Sequence, residues 1–282
     1  MNREEIQSMR RSYSERELTL SSLTDPITSF KSWLKEAADV PSIVEANGMV
    51  LSTSDAEGLI TSRSVLLKDV NEIGLQEVVT KIKSNSGKAI SKVLDISKQE
   101  QVFKVIAEIK SEFGRIDALV NCAGLPGPTA DFVEDIKWPD YERVLAINLF
   151  GAIWLTQAVL PTMKTQKYGR IVQVASIAGK EGNPKMAPYN TSKSGLIGFV
   201  KGIAKENAQT GITVNALAPA VIATPINVNT SDELMKYMIS RIPMGRLGEP
   251  NEVAEIIAFM ASKACSFTTG FTFDISGGRA TY

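Results

Sequence analysis

From residue 74 to residue 282 the sequence alternates short apolar runs with longer runs of helical periodicity, and few architectures accept that rhythm. Strand-like runs stand at residues 89–96, 116–123, 170–176, 213–218 and 271–275, with helix-like runs at 99–113, 138–164, 187–208 and 251–262. In the first helical run Val102, Val105, Ile106, Ile109 and Phe113 fall on one stripe, as the 3.6-residue period requires. Pro250 ahead of the last helical run and Gly211 after the one before it are boundary signals. Short apolar strands alternating with helices predict a doubly wound α/β fold, a parallel sheet covered on both faces.

Residues 1–68 do not share the pattern. Asp25-Pro26 is a helix start, with a capping acceptor followed by proline at the first turn. Ile27, Phe30, Leu34 and Ala37 then make one apolar face. Two strand-like pieces, 49–53 and 62–68, flank the turn-rich Ser54-Asp55-Ala56-Glu57-Gly58, which predicts a β-hairpin. The expected organisation is therefore an N-terminal helix-and-hairpin segment over 1–68 and an α/β domain over 69–282.

Composition narrows the chemistry. The chain has no histidine, which excludes Ser-His-Asp and Cys-His catalysis and imidazole-bound zinc. Two cysteines, Cys122 and Cys265, cannot build a disulfide scaffold or a four-cysteine metal site. The 31 basic and 31 acidic residues cancel, so nothing favours nucleic acid or an anionic membrane as a partner. The polar start Met1-Asn2-Arg3-Glu4-Glu5 lacks the apolar core of a signal peptide. No uninterrupted apolar run reaches the ~18–20 residues of a membrane span, and a cytoplasmic setting is expected.

Ser176, Tyr189 and Lys193 are the sharpest chemical feature. Tyr189 and Lys193 stand four apart in Tyr189-Asn190-Thr191-Ser192-Lys193, a spacing that brings both to one helical face. Ser176 closes a strand, at the carboxyl edge where open α/β sheets bind ligands. A phenol with its ordinary pKa of ~10 is a poor acid or base at neutral pH, and a neighbouring ammonium lowers that value. Such a phenol can give a proton to a carbonyl oxygen or take one from an alcohol, with the serine hydroxyl holding that oxygen. A Tyr-x-x-x-Lys pair alone is common on exposed helices. Here it is joined by Asn121-Cys122-Ala123-Gly124 after a strand, by Asn148 in Ile147-Asn148-Leu149, and by 215–224 after a later strand.

Together these motifs resemble the short-chain dehydrogenase/reductase family, over about residues 69–282. The resemblance implies hydride transfer between a nicotinamide cofactor and a secondary alcohol or ketone. In it Tyr189 corresponds to the general acid/base, Lys193 to the residue that lowers its pKa and holds the nicotinamide ribose, Ser176 to the substrate-oxygen donor and Asn148 to the anchor of a relay water. Asp95 and Ile96 match the adenine-contacting segment. Asn121, Ala123 and Gly124 match the strand end that lies along the cofactor, and Pro219, Ile222 and Thr224 the segment around the nicotinamide and its phosphates. Ala220 replaces the family's usual glycine. Asp69 corresponds to the acid that ends the second strand, which favours NAD over NADP because it bonds the ribose hydroxyls and repels a 2′-phosphate; an ordinary turn aspartate is the other reading. Family members commonly form homo-oligomers through helices matching 138–164 and 187–208. Residues 225–241 resemble the substrate lid. Lys180, Glu181 and Asn183 are expected to face substrate, their polarity pointing to a sugar, a sugar acid or another hydroxylated compound.

The family's glycine-rich turn, Thr-Gly-x-x-x-Gly-x-Gly, is the missing motif. The nearest segment, Thr53-Ser54-Asp55-Ala56-Glu57-Gly58-Leu59-Ile60, supplies one of its three glycines, and the residues before the next strand are too few for a parallel crossover of ~10–12. The first βαβ unit is therefore expected to be incomplete. Residues 1–68 instead resemble the start of pyridoxamine 5′-phosphate oxidase, a dimeric FMN split barrel. Arg63 and Lys68 match its FMN-phosphate ligands, and Arg10 and Tyr13 its substrate-phosphate contacts. Its remaining strands and flavin ligands are not in the sequence, so Arg63 and Lys68 read as a solvated hairpin face and FMN is not expected. Three functions stay open: an NAD-linked oxidoreductase, an inactive chimera serving at most as a binding or oligomerisation module, and an FMN or pyridoxal-phosphate binder through residues 1–68.

Overall fold

The computed structural model describes residues 49–51, 64–69, 72–84, 88–224 and 230–282. The expected helix after Asp25-Pro26, the turn at 54–58, and Arg10, Tyr13 and Arg63 lie outside the described residues. In chain order the strands are β1 (Met49–Leu51), β2 (Ser64–Asp69), β3 (Lys88–Val93), β4 (Ala118–Asn121), β5 (Gly169–Val174), β6 (Ile212–Pro219) and β7 (Thr272–Ile275). The helices are α1 (Glu72–Ser84), α2 (Gln99–Phe113), α3 (Trp138–Leu145), α4 (Ala152–Gln166), α5 (Ala178–Glu181), α6 (Ala187–Asn207), α7 (Asp232–Ser240) and α8 (Pro250–Met260). Helix α1 was not among the helical runs picked out by periodicity.

These strands form one sheet in the order β3-β2-β1-β4-β5-β6-β7. Pairs β2/β3, β4/β5, β5/β6 and β6/β7 are parallel, as the alternation predicts. Two cores explain why. On one face Leu119 of β4, Ile171 of β5 and Val214 of β6 pack with the stripes of α2, α4 and α6. On the other, Ala118, Val120, Val172 and Leu217 pack with Leu75 and Val79 of α1 and Ile257 and Met260 of α8. Neighbours along a strand thus serve opposite cores, which is why Ala118, Leu119 and Val120 of β4 and Ala216, Leu217 and Ala218 of β6 are consecutive apolar residues. Ile109 is fully buried in the first core. Ile109→Ala should lower stability by about 2–5 kcal/mol in chemical denaturation; a loss under about 1 kcal/mol would contradict this packing.

The hairpin behaves differently from the expected side module. Strand β1 lies at the centre of the sheet, antiparallel to β2 and, through Met49 opposite Val120, to β4. Its first residue therefore lies near the carboxyl end of β4, so the chain enters the sheet at the edge where a parallel first strand would leave it. Strand β2 spans residues 68 and 69, so the expected boundary falls inside a strand.

The expected helix 138–164 is interrupted. Between α3 and α4 runs a π-helical stretch, Ala146–Gly151, that contains Asn148. No uninterrupted apolar run of membrane length is present in the sequence, yet one helical run has a high mean hydropathy. The helical run Trp138–Gln166 contains an 18-residue window of mean hydropathy 1.7, long and apolar enough to cross a membrane by composition. In this fold Val144, Leu155, Val159 and Met163 of that run are buried in the protein.

Candidate active site

Strand β5 stops at Val174, but its ladder continues: Ala175 N donates to Leu217 O at 2.7 Å and Ile177 N to Pro219 O at 2.9 Å. These bonds hold Ser176 at the carboxyl edge beside Pro219. Ser176 is buried, and its Oγ accepts from Ala178 N at 3.1 Å, which fixes the hydroxyl. The same hydroxyl bonds to the Tyr189 phenol. Tyr189 stands in the first turn of α6, after Pro188, where a proline costs the helix no hydrogen bond.

Lys193 follows one turn later with its side chain almost wholly buried. Its Nζ donates to Val174 O at 2.8 Å and lies 5.7 Å from the centre of the Tyr189 ring. Gly179 of α5 makes that approach possible: a Cβ there would meet the Lys193 carbonyl carbon at 2.7 Å. Asn148 completes the cluster, fully buried on the π-helical stretch. Its Oδ1 accepts from Leu125 N at 2.9 Å, and its Nδ2 donates to Leu125 O at 3.0 Å and Ser192 Oγ at 3.0 Å. Ser192 in turn donates to Tyr189 O at 2.8 Å. Sequence reasoning passed over Ser192, although it sits inside the Tyr-x-x-x-Lys motif. π-Turns are frequent at functional sites because they re-aim backbone and side chains.

Gly124 forms the floor. A Cβ at that position would stand 3.2 Å from Lys193 Nζ and 3.3 Å from Asn148 Oδ1. A side chain would thus press on these two polar groups, which would have to give by a few tenths of an ångström.

One electrostatic expectation is corrected. Burial raises the Tyr189 pKa above its ordinary value, and the Ser176 hydrogen bond works in the opposite direction without cancelling it. The expected net lowering by Lys193 is not found, since the ammonium stands over the ring and bonds to Val174. Burial likewise pushes the Cys122 thiol up to about 12 against the pull of Lys193, so this cysteine is a packing residue and not a nucleophile.

The other expected cofactor residues are distributed along the same sheet edge. Asp69 closes β2 opposite Val93 of β3. Asp95 Oδ1 accepts from Ser97 N at 2.9 Å and Ser97 Oγ at 2.6 Å, holding the turn into α2. Ile96 packs on Gly151, where a Cβ would meet its Cδ1 at 2.8 Å. The Asn121 side chain turns inward, Nδ2 donating to Gln173 Oε1 at 2.8 Å and Oδ1 accepting from Ala123 N at 3.2 Å. It shapes the turn that presents Ala123 and Gly124. Ile222 pairs with Gly248, and Thr224 is half-buried at the last position described before 230. Within 225–241, α7 buries none of its residues and leaves Leu234 and Tyr237 exposed.

Lys180, Glu181 and Asn183 are not turned to an open cleft. Lys180 Nζ pairs with Asp274 at 3.1 Å, Glu181 pairs with Arg279 at 2.9 Å, and Asn183 Oδ1 accepts from Arg279 Nη2 at 2.8 Å. Their polarity is satisfied by the segment after β7 (276–282) and its neighbour Asp274, so it gives no information on substrate.

The family model described as "Enoyl-(Acyl carrier protein) reductase" matches residues 61–280. The chain is 44% identical over 189 residues to the 2-dehydro-3-deoxy-L-rhamnonate dehydrogenase (NAD(+)) of a Sphingomonas species, covering 67% of this chain and 76% of that protein. It is 38% identical to the 3-oxoacyl-(acyl-carrier-protein) reductase of Thermotoga maritima, over 76% of this chain and 87% of that one. Among solved structures, an NAD+-bound xylitol dehydrogenase superposes with a TM-score of 0.71 at 34% identity, covering 76% of this chain and 88% of its own.

Proposed function

The chain belongs to the short-chain dehydrogenase/reductase family, and on that premise we propose that it is an oxidoreductase moving a hydride between a nicotinamide dinucleotide and a secondary alcohol or ketone. The observation that carries this reading is the Ser176–Tyr189 hydrogen bond one helical turn from a buried Lys193, whose ammonium lies against Gly124. The residues present fit the nicotinamide half of such a cofactor. Gly124 leaves room that a side chain would fill, and the Lys193 ammonium beside it suits the hydroxyls of a ribose. Bound there, the cofactor supplies the hydride or accepts it.

The protein's own part is to bind, orient and move a proton. Ser176 orients the substrate oxygen toward Tyr189. In ketone reduction Tyr189 donates its phenolic proton to that oxygen, and the Ser176 hydroxyl, whose hydrogen bond favours the ionised form, stabilises the phenolate left behind. In alcohol oxidation the phenolate takes the proton. Asn148 and Ser192 keep the Tyr189 turn in register with the Gly124 strand end.

Asp69, at the carboxyl end of β2, supports NAD over NADP. The Sphingomonas and Thermotoga relatives support a sugar-acid or 3-oxoacyl substrate. The exposed Phe150, 6.2 Å from Trp154 on the same helical run, supports assembly as a homo-oligomer. The antiparallel β1 favours a second reading, a catalytically silent binding module.

An assay of 2-keto sugar acids, ketoses and 3-oxoacyl thioesters with NADH and NADPH separates the two. Turnover of one class with NADH is the expected result, and no turnover with any class overturns the proposal. The raised Tyr189 pKa sets the pH dependence. Raised above its ordinary value, the phenol stays protonated across the neutral range, so reduction holds there, while oxidation climbs about tenfold per pH unit as phenolate forms. An oxidation rate that is flat between pH 7 and 10 (~1000-fold in phenolate) would count against Tyr189 as the base.

A further inference from the structure

Resting on that reading, we infer that Arg279 is a positioning residue for the reaction, acting on Tyr189 through Glu181, Asn183 and Asn190. The loop between Ser176 and Tyr189 carries both reacting side chains at its ends, and α5 accounts for only 178–181 of it. What fixes the remainder is the segment after β7.

Arg279 Nε pairs with Glu181 Oε2 at 2.9 Å and its Nη2 donates to Asn183 Oδ1 at 2.8 Å, with the arginine side chain 8% exposed. A guanidinium whose Nε and Nη2 are held by two different partners is fixed in orientation more firmly than by a single surface pair. Asn183 passes that geometry on. Its backbone N donates to Asn190 Oδ1 at 3.1 Å, and its backbone O accepts from Asn190 Nδ2 at 2.7 Å. Asn190 is the residue after Tyr189 in α6, so the amide fork pins the helix turn from which the phenol projects. A second latch lies alongside. The Tyr282 hydroxyl donates to Lys180 O at 2.8 Å, Lys180 Nζ lies 4.9 Å from the Tyr282 ring centre, and the same ammonium pairs with Asp274. The loop is thereby clamped from one side by residues about a hundred positions away in sequence. The clamp touches neither Ser176 nor Tyr189, so its effect is on their placement.

The test compares the parent, Arg279→Met and Arg279→Lys in the full chain by kcat, by reduced-cofactor binding through fluorescence, and by ultraviolet titration of the Tyr189 phenolate, read as the difference from Tyr189→Phe. In Arg279→Met kcat should fall about 10- to 100-fold with cofactor Kd within about twofold, the split expected when only the reacting geometry is lost. The phenolate midpoint should move down toward that of an ordinary tyrosine as water reaches the loosened turn. Arg279→Lys should recover part of both. A folded Arg279→Met with kcat within about threefold of the parent, or with a lower kcat but an unmoved phenolate midpoint, overturns the inference. If Arg279→Met does not fold, Glu181→Gln is judged by the same criteria. A parent that turns over no ketone counts against the proposed reaction alone, because the phenolate titration still decides the positioning role.

Discussion

Tyr189→Phe should lower turnover about 10²- to 10⁴-fold, the range general acid–base groups contribute, while leaving reduced-cofactor binding almost unchanged. The asymmetry follows from the geometry. The substitution removes one oxygen, the acceptor of the Ser176 hydrogen bond. The aromatic ring that packs near Lys193 remains, and so do the Lys193 bond to Val174 and Gly124 against its ammonium. Steady-state kinetics and a fluorescence titration on the same preparation check it. Turnover within about tenfold of the parent would remove Tyr189 from the proton-transfer role.

Gly124→Val should have the opposite signature, with cofactor affinity lost first. Even a bare Cβ would sit 3.2 Å from Lys193 Nζ and 3.3 Å from Asn148 Oδ1, and the two valine methyls extend beyond it. Lys193 can yield only by straining its bond to Val174 O, and Asn148 is tied to both Leu125 and Ser192. Overpacking of this kind costs about 1–3 kcal/mol, and at ~1.4 kcal/mol per decade the dissociation constant for NADH should rise about 5- to 150-fold. An unchanged dissociation constant in a folded Gly124→Val protein would place the cofactor elsewhere.

The layered α/β fold was legible because each buried strand serves two cores. Leu119 and Val120 face opposite sides of the sheet, so Ala118, Leu119 and Val120 read as consecutive apolar residues. Ser176, Tyr189 and Lys193 were legible as a motif because helix geometry ties a four-residue spacing to one face. What escaped the sequence depends on partners far along the chain. The place of β1 at the sheet centre, antiparallel beside β4, is decided by pairing between Met49 and Val120 that no local pattern encodes. The π-helical turn at Asn148 depends on a loop at Leu125 and on Ser192 of α6. Lys180, Glu181 and Asn183 looked like substrate-facing polarity because Asp274, Arg279 and Tyr282, which engage this stretch, lie some ninety to a hundred residues later. The net pKa of Tyr189 was misjudged for a related reason: the spacing announces a cation nearby, but burial is a property of the assembled fold.

The antiparallel β1 sharpens what is at stake. In a parallel first strand the chain leaves the carboxyl edge through a glycine-rich turn into a helix whose N-terminus holds the pyrophosphate. Here Met49 enters at that edge. The Ser176, Tyr189 and Lys193 side chains stand together in the fold, whereas the sequence offers no turn of the Thr-Gly-x-x-x-Gly-x-Gly form. The account therefore predicts a working proton-transfer site with a weaker hold on its cofactor than a complete glycine-rich turn would give. The most direct measurement is transfer of deuterium from reduced NAD carrying deuterium at both nicotinamide C4 positions into the alcohol product, followed by mass spectrometry across the ketone panel. The parent protein should give alcohol one mass unit heavier and Tyr189→Phe should give almost none; unlabelled product or no product from the parent would contradict hydride transfer at this site.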